Sequence, residues 1–169
     1  MKKLIYLVLA VAFFSSASEA SAQLEKYQTT FIYNFTRSIQ WPNLHQEPEF
    51  IIGVLSKNHP LIKELEISMG NRTAGGRPIK LVEFSSAAEI ENCHILFVPN
   101  SRLSQMNQVT EKLKNKPALI VTESQGRTPA GSAINLFVEN EKMKFNLDEE
   151  LTKGKNLMVS TQLRNYAKN

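Results

Sequence analysis

Phe50-Ile51-Ile52-Gly53-Val54-Leu55 is a run of six residues without a charge or a polar side chain. A strand covered on both faces reads this way, because neither face needs polar residues for water. Three more strands are predicted at 79–84, 93–98 and 117–122. The segments between them carry helical spacing. Leu61, Ile62, Leu65 and Ile67 predict a helix over 60–68. Ser85-Ser86 caps a brief helix through about 92. Leu103, Met106, Val109 and Leu113 predict a longer one over 102–115. Strands alternating with helices predict a mainly parallel sheet with right-handed crossovers. Residues 133–139 and 142–147 then predict a hairpin turning at Asn140-Glu141, which adds an antiparallel edge. Asp148-Glu149-Glu150 suit a helix N-terminus. Leu157, Val159, Leu163 and Tyr166 belong to a last element, a C-terminal helix from about 160.

Working back from Phe50, Leu24, Tyr27, Phe31, Ile32, Phe35 and Ile39 recur at helical spacing and predict an amphipathic helix over 24–40. Trp41-Pro42 stops it, since the residue before proline disfavours helical backbone. Further back lie Lys2 and Lys3, an uncharged apolar run from Leu4 to Phe14, and a small-residue tract ending Ala20-Ser21-Ala22. These three parts are those of a secretory signal peptide over 1–22, too short for a stable span. The expected organisation is therefore a signal peptide followed by one domain, 23–169, working outside the cytoplasmic membrane.

Removal of Lys2, Lys3 and Glu19 leaves 18 basic and 15 acidic residues. The charges are scattered and never form the concentrated basic stripe that nucleic-acid binding needs. Cys93 is the only cysteine, so an internal disulfide is excluded and packing must supply stability. The thiol reads as a small buried apolar group.

Catalytic patterns are sparse. Cys93 and His94 are neighbours on a strand and point to opposite faces, which rules out a dyad between them and predicts a core thiol beside a surface-facing imidazole. His45, His59 and His94 have no helical metal spacing, and no CxxC occurs. Gly131-Ser132-Ala133-Ile134 is not a nucleophile elbow. The 126–131 loop lacks the Lys-Ser/Thr ending of a phosphate loop, although Arg127 and nearby amides there could hold a small anion. Gly70–Arg77 holds two arginines and three glycines and reads as a flexible connector that could serve as a lid or docking loop. No enzyme, metal or cofactor is expected.

An ordered set of phrases carries a wider likeness. It comprises Tyr27…Phe31-Ile32-Tyr33-Asn34-Phe35-Thr36 ending in Trp41-Pro42, then Phe50–Leu55, Gly76-Arg77-Pro78-Ile79 and Cys93–Val98. Gly126, Gly131, Ile134-Asn135-Leu136-Phe137 and Lys144-Phe145-Asn146-Leu147 complete it. In this order the chain resembles the YfiR-like family of small exported bacterial proteins. The resemblance implies a Rossmann-like three-layer α/β sandwich in the periplasm, without catalytic residues. It also implies a dimer that restrains a membrane-bound diguanylate cyclase by binding its periplasmic part, with consequences for cyclic-di-GMP and biofilm. Internal disulfides of the well-known member have no counterpart here, because Cys93 lacks a partner. The partner, a diguanylate cyclase or a sensor kinase, would dock on the aromatic first helix and the loops. The candidate residues are Tyr33, Arg37, Trp41, Arg72, Arg77 and Arg127. The alternative is a small-molecule-binding module that takes an anionic ligand.

Overall fold

The computed structural model describes residues 23–168. The 1–22 signal peptide lies outside the described residues. Helix α1 runs over 23–38 and strand β1 is Ile39–Gln40. The expected helix thus ends two residues early. Ile39 and Gln40 instead pair antiparallel with Val159 and Met158 of β9, Met158–Val159. Leu157 and Val159 are therefore not part of a C-terminal helix.

The main sheet contains β2 (Phe50–Val54), β3 (Thr73–Ala74), β4 (Arg77–Glu83), β5 (Ile95–Val98), β6 (Leu119–Glu123), β7 (Ile134–Glu139) and β8 (Lys142–Leu147). Its order is β3-β4-β2-β5-β6-β7-β8. β4, β2, β5, β6 and β7 pair in parallel, while β3 and β8 add antiparallel edges. The sheet is therefore mixed, and both ends of it are hairpins. β3 was not expected. It turns the supposed flexible connector into a tight hairpin, with Gly75 and Gly76 both at positive φ (56° and 79°). Two-residue hairpin turns of this hand need that backbone, and glycine supplies it without steric cost.

Helices α2 (Pro60–Met69), α3 (Met106–Lys112), α4 (Glu149–Gly154) and α5 (Thr161–Tyr166) complete the chain. The expected 102–115 helix is split: Asn100–Gln105 is 3-10 and only Met106–Lys112 is α. Leu103, Met106 and Val109 recur every three residues, the period at which a 3-10 turn keeps side chains on one face. The segment after Ser86 is likewise a short 3-10 helix, Ala87–Glu89.

Alternation along the strands divides the core in two. Ile52, Val54, Ile95, Phe97, Leu119 and Val121 pack on one face with residues of α1, α2 and α5. Leu96, Val98 and Ile120 pack on the other with Ala87, Met106, Val109 and Leu113. β2 and β5 are thus covered on both faces, as their apolar runs imply. α1 is rotated from the expected orientation. Glu25, Gln28, Thr29, Ile32, Phe35 and Thr36 are buried, whereas Tyr27 is 46 % exposed.

Candidate functional site

At the amino end of the parallel strands, three segments meet: the end of α1, the loop before β2, and the β3–β4 hairpin. His94 organises the floor. Its backbone N–H donates to Ile51 O at 2.8 Å, and its ring Nδ1 accepts the Ile51 N–H at 2.9 Å. The ring stacks on Phe50 with centroids 4.6 Å apart. The imidazole is half-buried rather than surface-facing, and burial holds its pKa below the ordinary value. Cys93 is buried in the apolar cluster on the opposite face of the sheet, although Cys93 and His94 both precede β5, which begins at Ile95 rather than at 93.

Trp41 is buried against this floor. Its indole Nε1–H donates to His94 O at 3.0 Å, and its ring meets Phe50 edge-on at 4.8 Å. The carbonyl of His94 also accepts the Leu119 N–H. Trp41 therefore ties the end of β1 to β2, β5 and β6 together.

Above the floor lies a cationic surface. The Arg72 guanidinium sits 4.4 Å from the Tyr33 ring centroid, and that of Arg37 sits 5.9 Å from it. Each such contact is worth roughly 0.5–1 kcal/mol at an exposed site. Arg72 is fixed through its backbone, since its N–H donates to Met69 O and its carbonyl accepts the Ile79 N–H. Arg37 and Trp41 line a hollow of about 340 Å³ whose far wall is Thr73, Ala74 and Gly75. Arg77 donates from Nη2 to the carbonyl of His45, on the neighbouring loop.

Tyr33, Arg37, Trp41, Arg72 and Arg77 are thus gathered at one end of the sheet. Arg127 is not among them. It is exposed on the 124–133 loop, beyond the carboxyl end of β6. Among the described residues, none of these four arginines pairs with a carboxylate. The amino-end arrangement therefore presents unneutralised planar donors beside an aromatic face, suited to carboxylates of another molecule. Sequence reasoning chose these residues without seeing why they meet. The signal was Gly75-Gly76, whose hairpin geometry returns Arg72 toward the sheet.

A larger hollow, about 650 Å³, lies on the other side of Arg37, between α1, β8 and α5. No sequence signal marked it, because its lining comes from both ends of the chain.

Among the described residues, no helix is long and apolar enough to cross a membrane, and no group of His, Cys, Asp and Glu residues could hold a metal ion. No curated protein matches the chain. A family model described as YfiR/HmsC-like (DUF4154) matches residues 25–168, nearly everything after the N-terminal leader pattern, and the chain belongs to that family.

Proposed function

We propose that this chain is an exported, non-enzymatic regulator. It binds the periplasmic part of a membrane signalling protein, a diguanylate cyclase or a sensor kinase, and so tunes cyclic-di-GMP or related signalling. Membership of the YfiR/HmsC-like family across residues 25–168 carries this reading. The pattern of residues 1–22 supports export. In the same reading the working unit is a homodimer of one Rossmann-like three-layer domain over 23–169. The four parallel pairings and the separate apolar clusters on the two sheet faces support that architecture.

The docking surface in this reading is the Tyr33–Arg37–Arg72 platform, with Arg77 beside it. Its unpaired guanidinium groups suit an acidic segment of the partner. Charge complementarity of this kind speeds encounter and fixes register. In-cell crosslinking of a tagged copy tests the proposal. Enrichment of a membrane cyclase or sensor kinase from the membrane fraction is expected. Recovery of the chain alone, or only as its own dimer, would count against it.

A further inference from the structure

We infer that the hollow between α1, β8 and α5 is a binding site for an amphipathic monoanion, a carboxylate on an aliphatic or aryl body, and that its occupant regulates the arginine platform through Arg37. The regulatory half rests on the docking role proposed above; the binding half does not.

The size fits. About 650 Å³ falls within the roughly 300–1,000 Å³ of small-molecule sites. The lining is divided about equally between polar and apolar residues, and its apolar part forms the floor. Phe145 and Leu163 are 2 % and 5 % exposed and form the floor, while Phe31 meets Phe145 edge-on at 5.7 Å. Tyr166 is 69 % exposed and lines the mouth. Such a hollow accepts an apolar body and leaves one end of it near water.

The charge fits a single anionic group. Among the described residues, no Asp or Glu lines the hollow, and its two cations are Arg37 and Lys144. Lys144 is already paired with Glu139, whose carboxyl is pulled down to about 2 by its hydrogen bonds to Lys144 and Lys168. Arg37 has no carboxylate partner among the described residues. One uncompensated guanidinium beside an apolar floor selects one carboxylate, and its fork can take both oxygens. The amide side chains of Asn34 and Gln162, also in the lining, can hydrogen-bond the same head group.

Arg37 is the link. It lines this hollow and also the smaller one beside Trp41 and the β3–β4 hairpin. Its hold on Tyr33 is looser than that of Arg72 (5.9 against 4.4 Å). A bound carboxylate draws Arg37 toward the larger hollow and removes one positive charge from the platform. Ligand and acidic partner then compete for one guanidinium, which makes their binding mutually unfavourable.

Calorimetric titration of the purified protein with decanoate and with phenylpropanoate, against uncharged decanol, tests the site without any partner. The two acids also separate an aliphatic from an aryl ligand. At least one acid should saturate a single site per chain and raise the melting temperature with concentration. Arg37→Gln should weaken it about tenfold or more, as loss of a charge-assisted hydrogen bond does. Asn34→Trp, at an exposed position, should obstruct the mouth and weaken binding independently. The site is overturned if neither acid saturates, if decanol binds as tightly, or if both variants bind like the wild type. Partner capture is then compared with and without the bound acid. Reduced capture supports regulation, and unchanged capture removes that half while leaving the site standing. Failure to capture any partner defeats the docking proposal and the regulatory half with it, while the calorimetry still decides the site.

Discussion

The hydroxyl of Thr122 donates to the side-chain Oδ1 of Asn135 across 2.8 Å, inside the core. Asn135 Nδ2 then donates to Ser124 O at 3.0 Å, and Ser132 Oγ donates to Ile134 O at 2.8 Å. Thr122 and Ser132 are also 2.7 Å apart. Two hydroxyl hydrogens face three acceptors, so the network shares its bonds. It stands where a helix would otherwise be. β6 and β7 are parallel, yet only residues 124–133 connect them, with no helix between. Side-chain hydrogen bonds anchor this crossover instead. Thr122→Val and Asn135→Ala should each destabilise the fold by about 1–3 kcal/mol, by stranding buried polar groups. Urea unfolding of the two variants checks this, and the double variant should cost less than the sum.

Gly131 closes the same crossover. Its φ is +82°, and a Cβ placed there would lie 2.1 Å from Thr110 Cγ2 of α3. Gly131→Ala meets both a backbone and a contact penalty, so a loss of about 1–3 kcal/mol is expected. Combining it with Thr110→Ser removes the methyl it strikes. The pair should recover part of the stability and leave the backbone share behind. No recovery in thermal melts would show that the contact contributes nothing.

Burial pushes the Cys93 thiol up to about 12. The thiolate is the reactive form, so the native protein should resist an aromatic disulfide reagent at neutral pH. Full reaction is expected only in denaturant. Rapid labelling of the folded chain would contradict the burial of Cys93 on the α3 face of the sheet.

His94 gives stability a definite pH dependence. Its neutral ring accepts the Ile51 N–H, and burial holds its pKa below 6.5. As pH falls below that value, the unfolded chain takes up the proton first and stability falls until the folded ring also protonates. His59 is depressed by burial too and acts in the same direction, while Glu123 is raised by burial and opposes them at lower pH. The contribution of His94 is therefore read by difference. The gap in unfolding free energy between wild type and His94→Asn should shift in favour of the variant as pH falls through 6.5. A pH-independent gap would remove His94 from the titration.

Arg72 and Arg127 occupy opposite ends of the parallel strands, so they discriminate between docking surfaces. Arg72→Glu should weaken partner capture about tenfold or more, at 1.4 kcal/mol per decade. Arg127→Glu should leave it unchanged. Both side chains are exposed, and both variants should melt like the wild type. The reverse result would move the partner to the 124–133 loop.

The strands were legible because burial on both faces leaves a plain mark. Phe50 to Leu55 needed no partner to be read. The amphipathic helix was legible in kind, but its orientation was not. Tyr27 falls on the apolar stripe and yet is exposed, while Glu25 and Gln28 are buried, because packing partners decide which stripe faces inward. β1 and β9 are two residues each, too short for any period to appear. Residues 70–77 looked loose because glycine marks both flexibility and tight turns, and only Gly75 and Gly76 at positive φ separate the two. The candidate arginines were legible as charges on the first helix and on loops marked by glycine. Their assembly around Tyr33 was not, since the hairpin that delivers Arg72 is a long-range consequence of the sheet order.

The pairing of Ile39 with Val159 acts as a clasp between the two ends of the chain. Ser160 N–H adds a bond to Ser38 O, at the last residue of α1. Ile39 and Val159 lie far apart in the sequence, so α1 is latched only by a contact of long sequence separation, of the kind that forms late in folding. Clipping the tail before Met158 therefore loosens the first helix, and with it Tyr33 and Arg37, as well as α4 next to the cut.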